Sequence, residues 1–489
     1  MKVLLINPTG FGDLSGEGVN VGLGYLASAV LEEGHEVKVL DLNTALNIPN
    51  ALRINSCINW SPEFVGISIN SFNVLAAVRL IEEIKPRLPN ATFWAGGPHI
   101  TIVKGDFLKR YVDLLDGVVI GEADRTVKEL LNTLCGTRLS EMEKIPGLIF
   151  KTKSGEILET SSREFIKELD SLPFPNYEVF DSFPEVVSNW YNLLTSRGCP
   201  NNCVFCASKM IWRRKWRYRS MTNIEKELIA VKKKYGVKQI RIVDDNFSLK
   251  KGRAVDILNL LSRYEFKISL TNGIRADSID DELAKIMKKN RVSPVVIGVE
   301  NADHDTFEYV QKGESLAQIE YALKLLRGND IDVIATMVIG LINTTTESVT
   351  RSIQFLKKVK ASGHWMIALP FPGTALYKWA CDNGRLLYDY SQFSAEGITR
   401  SMVSFPPPVY FDTFEYPASQ RLEDFQRANL TSKNYHFLFN ESEPIIRILA
   451  RITMLIIKYD LKRIATHAKG MTYLLLHLLF LKFRRTNKQ

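Results

Sequence analysis

Short apolar runs alternate with amphipathic stretches over the first 150 residues. Val3–Ile6, Val37–Leu40, Phe64–Ile69, Thr92–Ala95 and Gly117–Ile120 read as strands, and Gly22–Glu33 and Asn73–Arg87 as helices. Strands separated by helices pair in parallel. Five of them predict a flavodoxin-like, Rossmann-type α/β domain over residues 1–150, with its ligand site beyond the strand carboxyl ends. Residues 151–190 form a connector rich in proline and acidic residues (LDSLPFPNYEVFD). The alternation resumes with strand-like runs at Tyr191–Thr195, Gln239–Val243, Lys267–Leu270, Val295–Val299, Val333–Ile339 and His364–Leu369. Helical stretches such as Thr222–Tyr235, Val255–Ser262 and Leu316–Arg327 follow, the first with a capping box expected from Thr222 and Glu225. Six such units over residues 191–390 predict a partial (β/α)6 barrel, which places chemistry on the loops at the strand carboxyl ends. Residues 391–489 turn irregular and then helical.

A chain of 489 residues with 45% hydrophobic and 24% charged residues is globular and long enough for two or three domains. The opening MKVLLINP is too short an apolar run for a secretion signal and reads as a buried strand, so a cytoplasmic protein is expected. The net charge of +9 resides in the tail: from Pro444 onward ten Lys/Arg face Asp460 alone. The rest of the chain is balanced, which argues against a nucleic-acid partner. Arg447, Arg451, Lys458 and Lys462 share one helical face, and the apolar run Thr472–Leu481 is far short of the ~20 residues a bilayer requires. Two readings stay open for this tail: peripheral contact with the inner face of a membrane, or a helical cap on the barrel. The basic-aromatic stretch KMIWRRKWRYRS (209–220) reads as a barrel loop with arginine stems along apolar surface, the alternative being a groove for a phosphorylated substrate or nucleic acid.

Three of the six cysteines, Cys199, Cys203 and Cys206, form a C-x3-C-x2-C array just after the first barrel strand. Thiolates are the usual ligands of a four-iron cluster, and no fourth Cys or His lies nearby. One iron would then stay open to an outside ligand, as in catalytic rather than closed structural sites. A zinc site completed by a distant residue is the alternative.

This array, SRGCPNNCVFCASK, resembles the signature of the radical S-adenosylmethionine (SAM) superfamily. The resemblance implies a [4Fe–4S] cluster on Cys199, Cys203 and Cys206 that binds and reductively cleaves SAM, with an electron donor such as flavodoxin or ferredoxin. It assigns Asp244 and Asp245 (VDDNF) to the SAM amino group and Asn272 and Arg275 (LTNGIRAD) to its ribose and carboxylate. Glu300 (VIGVEN) and Gly340 (MVIGL) end later strands, the latter near the adenine. Over residues 1–390 the chain resembles the cobalamin-dependent members of that family, through NPTG, VGLGYLAS, TFWAGGPH, GVVIGEADRT and the connector. Ser68, Asn70, Gly96, Gly97, His99, Gly121 and Glu122 are then the implied neighbours of cobalamin. The D-x-H-x-x-G motif that ligates cobalt in cobalamin mutases is absent; His35 and His99 are the only histidines of the first domain. The activity implied is methylation of an unactivated carbon of a small substrate, via a 5′-deoxyadenosyl radical and methylcobalamin. A lipid, isoprenoid or tetrapyrrole suits it if the tail meets a membrane. Oxidative cyclisation or rearrangement without methyl transfer is the main rival. A non-catalytic cobalamin sensor requires a structural cysteine triplet, and an RNA methylthiotransferase requires a second triplet that this chain lacks.

Overall fold

The computed structural model describes residues 1–8, 19–44, 48–136, 139–184, 187, 190–392 and 408–431. Among them, Met1–Ala428 form one compact unit.

The amino-terminal sheet has seven strands: β1 (Lys2–Asn7), β2 (Glu36–Asp41), β3 (Phe64–Ser68), β4 (Thr92–Gly96), β5 (Gly117–Val119), β6 (Leu148–Lys151) and β7 (Ile157–Glu159), in the order β2-β1-β3-β4-β5-β6-β7. The first five are parallel, with Val3 opposite Val37 on one side and Phe64 on the other. Side chains alternate between two cores because successive residues of a strand point to opposite faces. Val3, Leu5 and Trp94 join the layer that holds helices Val21–Glu32 and Ala123–Cys135, while Leu4, Ile6 and Phe93 join the one under Asn50–Asn59 and Val74–Ile84. Each such buried side chain contributes roughly 1.5–3 kcal/mol, which is why these strands read as apolar runs. This is the doubly wound sheet expected.

β6 and β7 were not foreseen. They pair antiparallel onto β5, so the sheet runs into the segment read as a connector. That segment also touches the opposite edge: Val39 N donates to Val179 O and Asp181 N to Val39 O, both at 2.9 Å.

The second sheet holds six parallel strands in chain order: β8 (Tyr191–Leu193), β11 (Gln239–Ile242), β12 (Lys267–Ile274), β13 (Val295–Glu300), β14 (Val333–Ile339) and β15 (Ser362–Ile367). This is the partial barrel. Between its first two strands, β9 (Ser196–Arg197) and β10 (Arg217–Tyr218) make a small antiparallel ribbon. The core facing Val3 and Leu5 continues into Leu193, Ile240, Ile268 and Ile297 of this sheet. The helix after β10 spans Met221–Tyr235, one residue longer at its start than the stretch Thr222–Tyr235 expected from the sequence. Ser220 caps it by accepting from Asn223 N at 3.0 Å, and Glu225 instead accepts from the Tyr264 hydroxyl, so the Thr222–Glu225 box does not form. No helix among the described residues is long and apolar enough to cross a membrane. The basic tail from Pro444 lies outside the described residues.

Candidate active site

The cysteine loop leaves the ribbon at β9 and returns through the short helix Ser208–Trp212 to β10. Its sulfurs receive N–H groups: Asn201 Nδ2 at 3.2 Å and Asn246 Nδ2 at 3.6 Å on Cys199 Sγ, and Ser208 N at 3.4 Å on Cys206 Sγ. Such donors favour thiolates and tune metal–sulfur bonds. Burial, and then the neighbouring cysteine, push Cys203 up to about 12; burial pushes Cys206 up to about 11. As free thiols both would stay protonated, so a ligand there must displace the protons. Among the described residues no three His, Cys, Asp or Glu side chains stand close enough to grip one metal ion. The ligands of a four-iron cube hold different irons and stand further apart than those of a single ion. Three thiols with amide donors on one loop fit that group.

The strand ends around this loop divide the remaining candidates. Asp244 is 1% exposed, and its carboxylate accepts from Thr195 N and Thr195 Oγ1 at 2.6 Å and from Ser196 Oγ at 2.5 Å. Its oxygens are used inside the fold, where they fix the exit of the first barrel strand. Asp245, the next residue, is exposed and accepts from Gly198 N at 3.0 Å. Loss of hydration raises its carboxyl above the usual range, partly offset by that Gly198 bond. Asn272 donates its amide to the Val243 and Asp244 carbonyls at 3.2 and 2.9 Å, which leaves its side-chain oxygen as an acceptor. Arg275 pairs with Asp277 at 2.6 Å and donates to Lys312 O at 2.8 Å. It lines a polar cleft of about 560 Å³ with Asn201, Ser248, Lys251, Asp277 and Ser278, beside the cysteine loop.

Glu300 takes a left-handed backbone (φ 66°) and is buried next to Lys312, 3.6 Å away. Lys312 Nζ also pairs with Glu314 at 3.0 Å and donates to Gly298 O. Burial raises Glu300 and Lys312 opposes it; burial lowers Lys312, but the two carboxylates more than reverse this. Two buried carboxylates thus share one ammonium, and Cys203 lies within its field. Glu300 is engaged with Lys312. Lys312 and Glu314 were missed because a buried lysine in VQKGES looks, by sequence, like a solvated one. Gly340 (φ 90°) backs onto buried Arg421, whose Nη1 would lie 2.6 Å from any Cβ.

At the carboxyl edge of the amino-terminal sheet, Gly97 has φ 102° and an added Cβ would stand 2.7 Å from Ile69 O, so only glycine fits. Gly96 would meet only ordinary contacts with Val119. Gly121 (φ 81°) has nothing within 4 Å of where a side chain would start, a bare turn open to a bulky ligand. Ser68 and Asn70 border this edge: Ser68 O accepts from Asn73 Nδ2 at 3.2 Å, and Asn70 Oδ1 from Phe72 N at 2.8 Å. These open, glycine-built turns fit a flat macrocycle. His99 follows the Gly97 turn by two residues. It is fully buried, shares a hydrogen bond between Nδ1 and Ser71 Oγ at 2.9 Å, and burial pushes it down to about 4. His35 lies at the other edge, near the Met1 amino group. Glu122 is also buried and ion-paired to Arg197 and Arg217.

Residues 193–356 match the radical SAM superfamily and residues 10–131 the B12 binding domain. An uncharacterized methyltransferase of Pyrococcus horikoshii is 32% identical over 395 residues, 79% of this chain and 84% of its own. The anaerobic magnesium-protoporphyrin IX monomethyl ester cyclase of a Synechocystis species is 25% identical over 329 residues, 65% of this chain and 64% of its own. The radical SAM methyltransferase TsrM of Kitasatospora setae, solved with cobalamin and a [4Fe–4S] cluster, shares the fold with a TM-score of 0.67 at 16% identity, over 87% of this chain and 90% of that one. With the thiol loop at the barrel mouth and the glycine turns at the sheet edge, these matches place the chain in the cobalamin-dependent radical SAM family, whose cofactors are SAM, a [4Fe–4S] cluster and cobalamin.

Proposed function

We propose that this enzyme methylates an unactivated carbon of a small hydrophobic molecule. The carrying observation is the thiol triad on one loop at the strand carboxyl ends of the barrel, without a fourth Cys or His on that loop. The P. horikoshii methyltransferase supports the reaction class. When bound, the cluster and SAM supply one-electron chemistry at carbon, and the corrinoid supplies a methyl carrier. Cys199, Cys203 and Cys206 hold the cluster. Asp245 offers an open acceptor for an ammonium, the Asn272 oxygen an acceptor for a hydroxyl, and Arg275 a guanidinium for a carboxylate if it exchanges its Asp277 partner. Ser68, Asn70, Gly96, Gly97 and Gly121 would border the corrinoid.

Exposed Arg213, Arg214 and Lys215, with half-buried Lys209, rim the cysteine loop; Arg214 Nε donates to Pro200 O at 2.9 Å and Lys209 Nζ to Asn202 Oδ1 at 3.3 Å. That rim suits an acidic one-electron carrier such as flavodoxin or ferredoxin. The basic tail suits peripheral contact with an anionic membrane on the cytoplasmic side, which would favour a lipid, isoprenoid or tetrapyrrole substrate. The cyclase relative favours a second reading, ring closure on a tetrapyrrole without methyl transfer. Turnover with methyl-deuterated SAM separates the two by mass spectrometry: labelled product supports methylation, and product free of label ends it.

A further inference from the structure

The residue after the bare Gly121 turn is tied to the cysteine loop. Glu122 Oε1 accepts from Arg197 Nη1 at 2.9 Å, and its Oε2 accepts from Arg217 Nη1 at 2.8 Å and from Ile166 N at 2.9 Å. Asp124 accepts from both Arg197 nitrogens, at 3.0 and 3.1 Å. The four side chains are only 3–11% exposed. Their walls are aromatic: Arg197 lies 5.1 Å over the Tyr25 ring, and Arg217 lies 4.7 Å over Phe165 and 5.5 Å over Trp212.

The position of the two arginines gives this cluster its meaning. They stand opposite each other across the β9/β10 ribbon. Arg197 is two residues before Cys199, and Arg217 ends the excursion that contains Cys203 and Cys206. Both stems of the thiol loop are therefore held by one carboxylate, and that carboxylate belongs to the turn that ends β5. Buried ion pairs add little net stability compared with apolar packing of the same volume, but they are directional and intolerant of displacement. An interface selected for adhesion alone has no need of four buried charges.

We propose that Glu122, assisted by Asp124, is a positioning residue that sets the thiol loop against the Gly121 turn and so holds the cluster and the corrinoid at one separation. The inference rests on the cofactor assignment above.

The test uses full-length protein carrying E122Q, with R217Q as the second variant because it keeps the Glu122–Arg197 pair if E122Q fails to fold. In cofactor-free protein, hydrogen exchange of amides 196–207 should quicken about tenfold in E122Q and less in R217Q, while amides of Ile69 and Gly97 keep wild-type rates. In protein loaded with cluster and cobalamin, iron and corrinoid contents should stay at wild-type levels. The distribution of distances between Co(II) and the reduced cluster, read by pulsed EPR, should broaden and be restored in part by E122D. Wild-type exchange and an unbroadened distribution in the variants overturn the proposal. So does uniform acceleration of every amide, the mark of a merely structural role. Wild-type protein that takes up no iron or no corrinoid would sink the cofactor assignment instead, and the exchange arm would still decide what Glu122 does.

Discussion

Replacing Lys312 by methionine removes the one ammonium between Glu300 and Glu314 and keeps the aliphatic volume. Its Nζ is 3.6 Å from Glu300 and 3.0 Å from Glu314, and the three side chains are 8%, 9% and 0% exposed, so solvent screens little of the interaction. Breaking a buried pair from one side costs about 3–5 kcal/mol, because a charge is left without its partner. For a barrel of this size that lowers the melting temperature by on the order of 10 °C. The pH dependence identifies the cause. Glu300 has a folded-state value raised above its unfolded one, so its contribution is full below about pH 4.3 and is lost as pH rises through the folded value. Lys312 holds that folded value down, and its loss lifts it further. The gap between variant and wild type should therefore be smallest at pH 5 and widen toward pH 8. Calorimetric scans of the iron-free full chain across that range measure it. A gap of under about 2 °C, or one that is the same at every pH, would refute the shared-ammonium account.

Gly97→Ala should cut cobalamin uptake about tenfold or more, read from the corrinoid absorbance, because its Cβ would strike the Ile69 backbone, whereas Gly96→Ala should keep it. Cys199→Ala, Cys203→Ala and Cys206→Ala should each abolish stable iron loading in anaerobic reconstitution, and exposed Cys135→Ser should leave the iron content unchanged. His99, held near 4 against about 6.5 when unfolded, contributes stability that is present above pH 6.5 and lost as pH falls toward 4; His99→Phe should flatten that limb of the melting-temperature profile, worth roughly 3 kcal/mol. Co(II) EPR of the holoenzyme should be unchanged by 15N-histidine labelling, since the first domain lacks the D-x-H-x-x-G motif and His99 is buried against Ser71.

The architecture was legible because parallel strands buried on both faces leave continuous apolar runs, and all eleven runs read as strands begin or lie within strands of the two sheets. The hairpin β6–β7 was hidden by its brevity and by the proline-rich, acidic segment around it. Ser220 was passed over as a cap because Thr222 and Glu225 matched a motif whose geometry one earlier serine already satisfied. At the site, spacing revealed the thiols, since three cysteines on one loop need no tertiary information. It could not show which way a strand-end side chain turns. Asp244 and Asp245 are neighbours, yet one is spent on Thr195 and Ser196 and the other is exposed. Glu122 reads from the sequence only as the residue after a glycine turn, because its two arginine partners are distant in sequence.

The segment between the two sheets works as a strap. Its first part extends one edge of the amino-terminal sheet through β6 and β7, and its later part bonds to β2 at the opposite edge through Val179 and Asp181. Parallel sheets with bare edges invite pairing with other chains. A protein severed after residue 150 would expose both flanks and tend to aggregate, and chimaeras that exchange the corrinoid half between relatives should carry residues 151–181 along with it.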